Sequence, residues 1–165
     1  MDVKRMARHL AMTPARVRRT FPVATLHAIE RAIGTAECSH AGQLRFAVEG
    51  ALDCAPLLHG QPARERAIDL FAQLRIWDTE HNNGVLIYLL LADRVVEIIA
   101  DRGIAKHIAA HEWQRICRRM ESAFSRGQYE QGAQDGIKDV AQMLARHFPP
   151  QEQGGNELPD QPLLL

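Results

Sequence analysis

Apolar residues along the chain change their spacing several times, and each change marks an element. In "FPVATLHAIERAIGTAECSHAG", Leu26, Ile29, Ile33 and Ala36 fall on one helical face, with Pro22 suited to the first turn and Gly42 to a C-terminal cap. "QLRFAVE" then alternates: Leu44, Phe46 and Val48 face one way, Gln43, Arg45 and Glu49 the other, the two-residue period of a strand. A loop is expected through "GALDCAPLLHGQ". From Pro62, Ala67, Leu70, Phe71, Leu74 and Trp77 return to helical spacing and predict a helix that stops near Asp78. "GVLIYLLLA" is apolar on both faces, as a central strand covered from both sides would be, and "RVVEIIAD" follows after two residues. Two further amphipathic helices carry Trp113, Ile116, Cys117, Met120 and Phe124, and then Ala133, Ile137, Val140, Leu144 and Phe148.

Connection lengths predict the topology. Strands only two residues apart form a hairpin, whereas 43–49 and 84–92, separated by a loop and a helix, suit a parallel crossover. The fold class is therefore α/β, a three-layer α-β-α sandwich around a small mixed sheet. With Asp93 and Arg94 as the two turn residues, Ala92 faces Val95, Leu86 faces Asp101, and Asn83 lies beside Gly103. This register gathers Asp78, Glu80, Asn82, Asn83, Asp101 and Arg102 at one end of the sheet, with Asp93 and Arg94 at the other.

Composition refines this picture. At 165 residues the chain can bury the core of one domain, and 20 basic residues against 20 acidic ones give no overall field to attract nucleic acid. The charge is uneven. Residues 1–20 carry Lys4, Arg5, Arg8, Arg16, Arg18 and Arg19 against Asp2, and read as a basic N-terminal arm; residues 21–148 are the domain, and 149–165, rich in Pro, Gly and Gln with acids, read as a flexible tail. Mixed with Val3, Met6, Leu10 and Met12, the arm's bases suggest weak contact with an anionic membrane surface. Cys38, Cys54 and Cys117 form no C-x-x-C pair, and the longest apolar run, Val85 to Ala92, is well short of the ~20 residues of a membrane span. The expected location is cytoplasmic, peripheral to a membrane if the arm touches lipid.

The order of motifs resembles one family. A helix ending in Trp77, then Asn82-Asn83-Gly84, an apolar strand, Asp93-Arg94, a strand running into Gly103, and Phe124 before Gly127, Tyr129 and Gly132 are similar to the TPM domain family, named for a thylakoid lumenal protein, a photosystem II repair protein and a nematode receptor modulator. The resemblance covers about Ile29 to Phe148. It implies a three-layer α/β domain and, for some members, acid phosphatase activity and calcium binding. This chain departs from fuller members in two places: a basic segment stands where they open with a strand carrying Val-x-Asp, and "GIAKHIAAHEW" lacks their Gly-Leu-Glu and following Asp.

Candidate chemistry concentrates at the two sheet ends. Asp78 and Glu80 follow a helix C-terminus, where the macrodipole disfavours acids by ~0.3–1 kcal/mol each, so something is expected to offset them. In one reading Arg102 pairs with one of them as a structural corner. In the other, Asp78, Glu80 and Asp101 with Asn82 or Asn83 oxygens hold calcium, which takes about six to eight oxygen ligands. A second site is expected at the carboxyl ends of the parallel strands, from Glu49, Asp53, Asp93 and Arg94. His107 and His111, at i and i+4, lack the zincin order, and Cys54 has no positioned base. The sequence points to a ligand- or partner-binding module acting with membrane-associated proteins, with a low-activity, metal-assisted acid phosphatase as the alternative.

Overall fold

The computed structural model describes residues 2–150 and 155–165. Its centre is a sheet of β1 (Gln43–Glu49), β2 (Gly84–Leu90), β3 (Val95–Ala100) and β4 (Leu163–Leu164) in the order β3-β2-β1-β4, with β1 parallel to β2 and β2 antiparallel to β3. Alternation along the strands divides the core in two. Leu44, Phe46, Val48, Val85, Ile87 and Leu89 face α3 (Val23–Glu37), α7 (Ala110–Ser125) and α8 (Tyr129–His147). Ala47, Leu86, Tyr88 and Leu90 face α4 (Cys54–Leu58) and α5 (Ala63–Gln73), packing on Leu57, Leu70 and Phe71. The chain is thus the three-layer mixed α/β sandwich that its periodicity predicts.

The hairpin register differs from expectation by two residues. Leu86 pairs with Ile99, and Gly84 rather than Leu86 lies opposite Asp101, whose N–H donates to Gly84 O at 2.9 Å. The connection is four residues, Leu91 to Arg94, closed by Arg94 N–H on Leu91 O at 3.1 Å with Arg94 at φ 58°. The cause is β1. Leu91 and Ala92 donate to Glu49 O and Gly50 O at 2.9 and 3.0 Å, prolonging the parallel pair in place of the hairpin.

Helix α5 ends earlier than Asp78. Arg75 takes a left-handed φ of 52°, Arg75 N–H reaches Ala72 O at 3.1 Å and Ile76 N–H reaches Phe71 O at 3.1 Å, the paired bonds of a Schellman cap. The reversal brings Ile76 into the core beside Phe71 and leaves Trp77, expected on the buried stripe, exposed. A short helix, α4, stands where only a loop was expected, and α6 (Arg102–Ala105) follows β3.

Both ends of the chain are built in. The basic segment folds as α1 (Val3–Leu10) and α2 (Pro14–Thr20), capped by the side chains of Asp2 and Thr13. The tail expectation needs correction for residues 155–165; residues 151–154 lie outside the described residues. Leu158 is buried in the α4/α5 core, its N–H and that of Glu157 donate to Gln43 Oε1, and Leu163 and Leu164 pair in parallel with Ala47 and Val48. Sparse apolar residues suffice here because an open edge of β1 is waiting for them.

Candidate functional site

At the amino end of β2 the expected polar cluster is a hydrogen-bonded corner. Asn82 adopts φ 50°, and its carbonyl accepts Gly103 N–H at 3.1 Å. A Cβ on Gly103 would also meet His81 O at 2.9 Å, so glycine is what lets the backbone following β3 close on this turn. Thr79 Oγ1 accepts Asn83 N–H at 3.1 Å, and the Asn83 amide donates to Ala41 O. Asp101 caps α6, its Oδ1 accepting Arg102 N–H at 2.6 Å. Asp78, Glu80 and Arg102 are exposed.

These residues are neighbours in the fold but do not converge as ligands. Strand alternation sends Asn83 to the Val85 side and Asp101 to the Ile99 side. Among the described residues no three His, Cys, Asp or Glu side chains are grouped to hold a metal ion, and Arg102 makes no ion pair with Asp78 or Glu80. The Arg102 ion pair of the structural-corner reading is thus not formed. The corner's excess polarity satisfies backbone groups where a helix and two strands change direction, and Glu80 N–H is met by Glu157 Oε2 of the C-terminal segment at 3.0 Å. Asn83 Oδ1 and Asp101 Oδ2 are buried without a hydrogen-bond partner.

At the opposite end, the second set of candidates divides. Asp93, 10% exposed, receives Arg5 Nε at 2.9 Å and Arg5 Nη2 at 2.8 Å on Oδ2, and on Oδ1 receives His9 Nε2 at 3.1 Å and Arg8 Nη2 at 3.4 Å. His9 Nδ1 accepts Leu52 N–H at 3.0 Å, which leaves the ring proton on Nε2 to face Asp93. Burial pushes the Asp93 carboxyl up, but the bonds from Arg5 and His9 outweigh it and hold Asp93 below the usual carboxylate range. Glu49 is paired separately, with Arg66 Nε at 2.9 and 3.1 Å and the Tyr88 hydroxyl at 2.6 Å. Burial, and then the Glu49 carboxylate, push the Tyr88 phenol far up. Asp53 is exposed at the start of α4, apart from both.

Sequence reasoning missed the partners of Asp93. The signal was present in the spacing of Arg5, Arg8 and His9, which stand at i, i+3 and i+4 and so share one face of a helix. That face also fixes the arm. Arg8 Nε donates to Ala92 O at 3.1 Å and Arg5 Nη2 to Gln61 O at 2.7 Å, so of the bases expected to meet lipid Arg5 is turned inward and Arg8 is tied to the β2–β3 loop while still half-exposed.

Beside this clamp a cavity of about 540 Å³ opens between α1, α2, the end of β2 and the α7–α8 junction. Leu89, Leu91 and Phe124 form apolar wall, and Arg8, Arg16 and Arg94 line it as well. Tyr129 stacks on Phe124 at its border, ring centroids 5.5 Å apart and planes 17° apart.

A mixed four-stranded sheet with helices on both faces and a polar turn locked against Gly103 defines the molecule as a small α/β domain of TPM type. The family model described as TPM domain matches residues 18–143, and the chain belongs to that family. Of solved structures, it is similar to the BA42 protein from the psychrophilic bacterium Bizionia argentinensis, at 29% identity and TM-score 0.75 over 86% of this chain and 93% of that one. It also shares its fold with the N-terminal domain of a protein from P. gingivalis, at 23% identity and TM-score 0.61 over 76% of this chain and 77% of that one. No curated protein matches the chain.

Proposed function

We propose that this TPM domain works by binding, not by hydrolysing phosphate esters. The observation that carries the reading is the saturation of Asp93 and Glu49, the two buried-edge carboxylates at the carboxyl end of the parallel strands. Phosphoryl transfer needs a group to attack phosphorus or position the attacker, and concentrated positive charge on the transferred group. Asp93 and Glu49 sit where α/β sheets commonly bind ligands, but their oxygens already accept from Arg5, Arg8, His9, Arg66 and Tyr88. Asp101 caps α6 through Oδ1 alone, its Oδ2 buried without a partner. Charge arranged this way holds the frame rigid, and rigid frames with a neighbouring cavity suit recognition.

Partners of such a module include membrane-associated proteins, as the family resemblance suggests. Among the described residues no helix is long and apolar enough to cross a membrane. Lys4, Arg18 and Arg19 are exposed on the arm, as are Arg8 and Arg16, with Val3 and Leu10 exposed as well.

The test is hydrolysis of para-nitrophenyl phosphate by purified protein, with and without calcium, against Asp93→Asn and Asp101→Asn checked for folding by circular dichroism. Wild type is expected to show no turnover above the buffer rate. Robust turnover lost in either folded variant would make this an enzyme.

A further inference from the structure

Three arginines gather around the α1–α2–β2 cavity. The partly buried Arg5 and Arg66, close by, are each neutralised by a carboxylate, Asp93 and Glu49. Arg16 and Arg94, by contrast, have no carboxylate within ion-pair range among the described residues, and Arg8 reaches Asp93 only at 3.4 Å. No aspartate or glutamate lines the cavity. The nearest acid, Asp93, is already saturated by Arg5 and His9, so the surplus is net positive charge beside an opening in a chain whose formal net charge is zero.

The wall opposite those cations is apolar and continuous with the core: Leu89 and Leu91 at the end of β2, Phe124 on α7, and Met12 between α1 and α2. Its volume falls within the roughly 300–1,000 Å³ of small-molecule sites. Arg94 adds a third observation. It holds φ 58°, a left-handed conformation that residues with a Cβ adopt at a cost, in the loop that presents it to the cavity. Strain of this sort in a ligand-facing loop is a mark of function, provided independent features point to the same place. Here charge and shape both do.

We propose that this cavity is a binding site for an amphiphilic organic anion: a carboxylate or phosphate head engaged by the Arg16 and Arg94 guanidinium groups, with Arg8 at the rim, and an apolar body laid against Leu89, Leu91 and Phe124. Guanidinium forks match both oxyanions in geometry. The apolar body is required because exposed arginines alone hold a hydrated anion only weakly, whereas each buried methylene adds to the affinity. The proposal rests on the binding reading above and gives that reading a place and a ligand class.

The experiment is an NMR titration of the full chain with octanoate, octyl phosphate, inorganic phosphate and octanol, each below its aggregation limit. Saturable shifts of Leu89, Leu91, Phe124 and Tyr129 are expected with octanoate, octyl phosphate or both, and the tighter of the two identifies the head group. Octanol and inorganic phosphate should each bind at least about tenfold more weakly, and Arg16→Gln and Arg94→Gln should each weaken the anion about tenfold, a loss of ~1.4 kcal/mol. Equal binding of octanol, shifts confined to another surface, no saturable shifts at millimolar ligand, or an undiminished affinity in both variants would overturn it. Release of octanol from octyl phosphate would defeat the binding-only reading and leave the cavity assignment standing. Silent cavity resonances would do the reverse.

Discussion

Glu37 gives the molecule a pH signature through a single side chain. Its Oε1 accepts Leu44 N–H at 2.7 Å, while burial, assisted by the Asp160 carboxylate across from it, pushes the acid up from 4.5 to about 7. Arg45, which donates to the Pro159 and Gln161 carbonyls, is the cation nearest Asp160, and His40 lines the same depression. Between about pH 4.5 and 7 the folded chain therefore holds a proton that the unfolded chain has released. Stability falls as pH rises through that window, because the unfolded state binds fewer protons there. Asp93 has the opposite sign: held low, it stabilises at neutral pH and loses that contribution only in acid, below its ordinary 3.8. Glu37→Gln removes the first group without removing its shape, so its melting temperature should change less than wild type's between about pH 5 and about pH 8. Thermal melts at both pH values check this; an undiminished difference would place the effect elsewhere.

Elements were legible where periodicity carried them, and illegible where one backbone torsion decided. The alternation in 43–49 and the double-faced run at 84–90 give strands β1 and β2 and the crossover between them. The hairpin register was not readable, because a slip of two residues leaves every side chain on the same face and so leaves the hydrophobic pattern unchanged. What chose between the registers was the bonding of Leu91 and Ala92 to Glu49 and Gly50, a contact between segments far apart in sequence. Likewise, the spacing of Leu74 and Trp77 continues a helix on paper, while Arg75 turns left-handed and puts Ile76 inside instead. Arginine carries no sign of that conformation, since glycine is its usual occupant. Arg75→Gly should accordingly stabilise the domain by about 0.5–1 kcal/mol, the relief of the strained φ less the added freedom of the unfolded chain. Urea denaturation measures it, and destabilisation would mean that the Arg75 side chain contributes more than its backbone costs.

Over the whole molecule, the sequence located the two ends of the sheet as places of interest but not the contacts that organise them. The acids at 49 and 93 were visible, whereas the cations that neutralise Asp93 come from Arg5, Arg8 and His9 at the far end of the sequence, folded back over the β2–β3 loop. The last segment was underestimated for a related reason: its few apolar residues cannot form a core of their own, yet Leu158 and Leu163 complete one that already exists. Removing residues 155–165 exposes that core and the outer edge of β1, and is expected to lower the melting temperature by about 5 °C or more, following ~2–4 °C per kcal/mol for a chain of this size and ~1.5–3 kcal/mol for a buried Leu. Differential scanning calorimetry of the truncated chain decides it; an unchanged transition would show that the segment rides on the surface. The parallel pairing of β1 with β4 also has a consequence in time. The bond from Arg45 to Gln161 joins residues 116 apart, so while the protein is being made β1 leaves the ribosome long before the strand that covers its edge. Until that strand arrives, a nascent chain on the same message offers the neighbouring one a vacant β-edge. The interval between the emergence of β1 and that of β4 thereby sets how long this edge stays open to another chain.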